Sequence, residues 1–143
     1  MSLTNAEIAI TQGPDGPAPV VLADVPAPTA AALADAVAHR RNGLAMGELD
    51  PAGVILVRRA GDLADRLRPA PDATMAVLRL DPDDLGVVCD AADRYVAERD
   101  VDSYQPPEER ERITALRDVR DSLRDAQARL MLAGLAAPDH SVA

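Results

Sequence analysis

The sequence predicts an α+β protein: a small three-stranded antiparallel sheet, made by an N-terminal hairpin and residues 74–80, packed against helices and ending in a C-terminal α-hairpin. Three observations carry this expectation. Two short β-prone runs flank a cluster of turn formers near the start. A third run, at 74–80, alternates so that Ala76, Leu78 and Leu80 share a face. Apolar residues in 82–99 and 107–132 then recur at helical spacing.

Taken in order, residues 7–11 and 20–25 form the hairpin strands, with residues 12–17, rich in glycine and proline, as a longer loop between them. Pro26 and Pro28 end the second strand. Thr29 is placed to cap a helix over 30–41, whose stripe contains Leu33 and Val37, and Asn42-Gly43 closes it. Residues 53–57 suit either a buried strand or a helix. Helix is the preferred reading, because Asp50-Pro51 resembles an N-cap followed by an N1 proline and the same Leu-Asp-Pro opening recurs at Leu80-Asp81-Pro82. Leu56, Ala60, Leu63 and Leu67 would then line one face.

Asp81 caps the next helix, 82–99, with Leu85, Val88, Cys89, Ala92, Tyr95 and Val96 as its apolar face. Pro106-Pro107 opens the last helix, 107–132, where Glu108, Glu109 and Glu111 sit in a first turn that favours negative charge. Its Leu116, Val119, Leu123, Ala126 and Leu130 follow a 3, 4, 3, 4 spacing, the pattern of lengthwise helix packing. Gly134 is the expected stop. The organisation expected is one domain over 1–134 and a loose tail over 135–143.

All fifteen basic residues are arginine, and the only aromatics are Tyr95 and Tyr104, so the core must be aliphatic. The net charge of -9 disfavours a nucleic-acid partner. Arginine clusters at 40–41, 58–59 and 66–68 lack aromatic neighbours on which a base could stack. No run approaches the ~20 apolar residues of a bilayer span. With no charged-then-apolar leader and a single cysteine, the cytoplasm is the expected compartment.

Without lysine, Schiff-base catalysis and an ordinary P-loop are excluded, and neither G-x-G-x-x-G nor G-x-S-x-G occurs. His39 reads as a helix-end residue, and His140 falls in the tail. The acids at 81, 83 and 84 could hold a hard cation, yet capping already accounts for acids at a helix start. Cys89 lies on an apolar face beside Asp90 and Asp93, which suits an inert packed thiol rather than a reactive one. No cofactor is expected, and no catalytic or metal-binding residues are assigned.

What remains points to binding. Residues 81–102 are strongly acidic, whereas 107–132 balance six acids against six arginines. The last helix, ~39 Å long against ~27 Å for its neighbour, could project an apolar end that seeks cover. The expectation is therefore a protein–protein interaction, regulatory or assembly protein of a GC-rich bacterium or phage. It would self-associate as a homodimer through its C-terminal helices, with Tyr104, Leu116, Val119, Leu123 and Leu130 as candidate interface residues. One alternative is an acidic antitoxin, immunity or chaperone-type protein with a basic partner. Another is a small enzyme using aspartate and arginine side chains in a groove between the sheet and the Arg58 to Arg68 segment.

Overall fold

A computed structural model describes residues 5–14, 16–100 and 105–132. It shows the α+β architecture: β1 (Asn5–Gly13), β2 (Gly16–Pro26), α1 (Ala27–Ala45), α2 (Pro51–Leu67), β3 (Met75–Leu80), α3 (Pro82–Asp100) and α4 (Pro107–Leu132). The strands form one antiparallel sheet in the order β1-β2-β3.

The hairpin is tighter than expected. Its ladder runs from Asn5↔Asp24 to Gly13↔Gly16, so the turn formers at 12–13 and 16–17 belong to the strands and no longer loop exists. Gly16 has φ +111, a backbone conformation that only glycine enters at low cost. Pro17 and Pro19 are tolerated in β2 because β3 pairs only with residues 21–26, leaving this stretch without a neighbour on that side.

The start of α1 is also a correction. Pro26 is the N-cap, Pro28 lies inside the first turn, and Thr29 is a buried helical residue rather than the cap. Proline's fixed φ suits the first helical turn, and Ala27 N–H donates to Thr74 O at 3.0 Å, replacing a side-chain cap. At its other end α1 continues through Asn42-Gly43 to Ala45, where Met46 N–H reaches Gly43 O at 3.4 Å. The weak glycine stop is overridden as α1 packs along α2.

For residues 53–57 the helix reading holds. Asp50 Oδ1 accepts from Gly53 N–H at 2.7 Å, and Asp81 Oδ1 does the same for Asp84 N–H at 2.7 Å, so both Leu-Asp-Pro sequences open helices by one mechanism.

Alternation along β2 divides the sheet. Val21, Ala23 and Val25 face the helices and are fully buried, whereas Asp24 on the other face is exposed. α1 is the central helix, touching α2, α3, α4 and the sheet, while α2 lies at the end of the layer. Leu33, Val37, Leu63, Leu80, Leu85 and Leu116 belong to one continuous aliphatic cluster. Burial of each large side chain in it contributes roughly 1.5–3 kcal/mol.

α3 and α4 form the expected antiparallel hairpin. The extra length of α4 is covered as far as Leu130, which is fully buried beside Arg129, whose guanidinium donates to the Ala6 carbonyl of β1 at 3.4 Å, while Met131 and Leu132 at the very end stay exposed. The sheet covers the part of α4 up to Leu130 that α3 is too short to reach. Among the described residues, no helix is long and apolar enough to cross a membrane.

Candidate functional site

The α4 candidates for self-association, Leu116, Val119, Leu123 and Leu130, all have 0 % exposure. Their seam is satisfied within the chain, and a partner approaching α4 meets its charged face instead. Tyr104 lies outside the described residues, as do His140 and the tail at 135–143.

The acidic surface of α3 is matched rather than left open. Asp90 accepts from Arg40 of α1 at 3.1 Å, Asp93 pairs with Arg120 at 3.3 Å and with Arg124, and His39 meets Glu98 at 2.9 Å. Asp84, the one buried carboxylate among the described residues, accepts from Arg59 at 3.0 Å and Arg66 at 2.9 Å. These last two bonds tie α2 to the first turn of α3, where the helix dipole also favours the negative charge. Arg68 reaches Asp35 at 2.9 Å. The arginine clusters read from the sequence are thus largely helix-to-helix ties.

Tyr95 closes the other end of α3. Its hydroxyl donates to Glu109 at 3.2 Å and accepts from Arg112 at 3.4 Å, while the Arg99 guanidinium lies 4.5 Å from its ring centre. His39 meets the ring edge-on, with centroids 6.4 Å apart. His39 is therefore a mid-helix residue pairing across to α3, not a helix-end residue.

The Cys89 thiol is pushed up to about 11 by burial, with Arg124 and Arg120 pulling it down. Burial, rather than the neighbouring Asp90 and Asp93, is what raises it. Among the described residues no group of three or more His, Cys, Asp or Glu side chains is arranged to hold a metal ion.

The densest run of exposed apolar residues lies at the start of α2. Asp50 caps the helix, and Leu49 folds over its first turn, its Cδ2 3.1 Å from where a Cβ on Gly53 would stand. Past the cap, four apolar residues follow in succession, Val54 to Val57. A helix turns 100° per residue, so such a run cannot all face inward. Ile55 consequently points out at 66 % exposure, with Val54 and Leu56 partly uncovered and Met46 at 88 %. Leu56 does not share the buried face of Ala60, Leu63 and Leu67, because it precedes the point at which α2 reaches the core. Four successive apolar residues on a helix with one inward face are the sequence signal of this exposure.

Beside this apolar end, a groove of about 550 Å³ runs between α1 and α2. Ala38, Gly61 and Ala64 form its narrow floor, while Arg41, Arg58, Arg68, Asp62 and Asp65 line it. All five charged side chains are exposed, so water damps their fields. The groove lies between two helices, not between the sheet and the 58–68 segment. No protein-family model matches the chain, and no curated protein or solved structure shows significant similarity to it.

Proposed function

We propose that this chain is a non-enzymatic interaction or assembly protein that docks through the apolar start of α2 and the adjoining α1–α2 groove. The observation that carries this reading is the uncovered set Met46, Leu49, Val54, Ile55 and Leu56, gathered within eleven positions, whereas the other exposed large apolar residues among those described are divided between the strands (Ile10, Met75 and Val77) and the end of α4 (Met131 and Leu132). Clustered apolar surface of this kind marks interaction sites on otherwise compact proteins. Self-association through the buried α4 seam receives no support from its geometry, and α2 takes its place in the proposal. The basic-partner alternative is weakened by the arginines that already answer the α3 carboxylates. One buried free thiol suits a reducing compartment, and a cytoplasmic setting belongs to the proposal.

The test is a photo-activatable cross-linking residue placed at Ile55 and, as control, at exposed Asp72, in the chain's own cell. Discrete adducts from position 55 alone are expected. Absence of any adduct at 55 above the monomer mass overturns the proposal.

A further inference from the structure

The α2 face carries charge in an order that fits itself. Glu48 and Asp50 precede the apolar residues and Arg58 follows them, with Asp50 and Arg58 each four positions from Val54. Among the described residues no ion pair involves Glu48 or Arg58, whereas most arginines are matched to a carboxylate, Arg41 and Arg79 being further exceptions. The outward line of α2 reads Pro51, Ile55, Arg58, at spacings of four and three, so Ile55 stands between the acidic and basic ends on one face.

We infer that the partner at this face is a second copy of the chain, the two α2 helices crossing antiparallel about a two-fold axis near Val54 and Ile55. A two-fold axis there sets Ile55 against Ile55 of the other copy and carries each Arg58 to the other copy's Glu48–Asp50 end. The self-complementary surface that an isologous dimer requires is thereby present in one short segment. A parallel pairing would oppose like charges at both ends. The face offers five apolar side chains on one short segment, so a weak dimer, on the order of 10 μM, is expected rather than a nanomolar one. This inference rests on the docking role proposed for α2.

Sedimentation equilibrium of the full chain up to ~100 μM tests it. The wild type is expected to dimerise, and Ile55→Glu to weaken the dimer about tenfold or more without lowering the melting temperature, since Ile55 is already largely exposed. Arg58→Glu and Glu48→Arg should each weaken it, whereas an equimolar mixture of these two variants, and the double variant in one chain, should recover it. In a parallel pairing the wild type already sets like charges together, so neither single exchange would weaken the dimer and the mixture would bind more tightly than the wild type. Weakening by each exchange followed by recovery to the wild-type level belongs to the antiparallel arrangement. A monomeric wild type overturns the inference, as does a dimer indifferent to Ile55→Glu or to the charge exchange. If position 55 then cross-links to a protein of different mass, the face belongs to that protein; the docking role survives and the second copy does not.

Discussion

Leu49 and Leu80 occupy the same place in two copies of one helix start, each preceding an aspartate cap and a proline, yet Leu49 is 39 % exposed and Leu80 is 1 % exposed. The local chemistry of the two starts is shared. What separates them is that α3 begins where β3 enters the core, whereas α2 begins at the rim of the helical layer.

That difference predicts opposite outcomes for one substitution. Leu80→Ala should cost about 2–5 kcal/mol, the range for emptying a buried leucine site. Leu49→Ala should cost under about 1 kcal/mol, because much of its side chain is already in water. Urea denaturation of both variants checks the contrast.

Asp84 holds α2 to α3 through two guanidinium groups that are themselves partly exposed. Asp84→Ala should destabilise the fold by about 1–3 kcal/mol, as expected for hydrogen bonds to a charged group. Asp83→Ala, which loses only a 3.9 Å approach by Arg59, should lie within about 0.5 kcal/mol of wild type. Equal losses at the two positions would refute the distinction.

Cys89 predicts an alkaline limb in stability. Its thiol lies at about 11 in the folded chain against an ordinary value of 9.0, so above pH 9 the unfolded state loses its proton first. Stability from this group is full below pH 9 and declines as pH rises towards 11. Cys89→Ala should flatten that decline in thermal melts across the window. Alkylation of native Cys89 at pH 8 should be slow, becoming rapid in denaturant.

Glycine replacements should divide by backbone. At Gly43 no atom stands within 4 Å of an added Cβ, and at Gly86 the nearest is Gln127 Nε2 at 4.0 Å, so alanine at either helical site should stabilise by about 0.4–1 kcal/mol. Gly16→Ala should instead destabilise, because its φ of +111 is strained for any residue with a side chain. Differential scanning calorimetry resolves the signs.

The elements with strong periodicity were the legible ones. The α4 seam of Leu116, Val119, Leu123, Ala126 and Leu130 is buried as its spacing requires, and the two Leu-Asp-Pro starts cap their helices as proposed. Boundaries controlled by tertiary pairing were less so. Nothing local to Thr29 shows that Ala27 N–H would find Thr74, and nothing local to Pro17 shows that β3 would stop short of it. The exposure of Ile55 was readable only as a conflict, four successive apolar residues on a helix with one inward face. Which arginine answers which carboxylate, such as Arg40 with Asp90, depends on helix packing that sequence spacing does not encode.

The Pro26↔Met75 rung, reinforced by Ala27 and Thr74 at 3.0 Å, means that the chain leaves the sheet and returns to it at one point, with α1 and α2 in between. Two residues separate β1 from β2, so their zipping begins from near neighbours, whereas β3 must wait for a long intervening segment to shorten. Coiling of α1 and α2 and their mutual collapse supply that shortening. Of the two strand pairings, β2 with β3 is thus the one with the larger closure entropy, and it is the helical pair that brings its ends within reach.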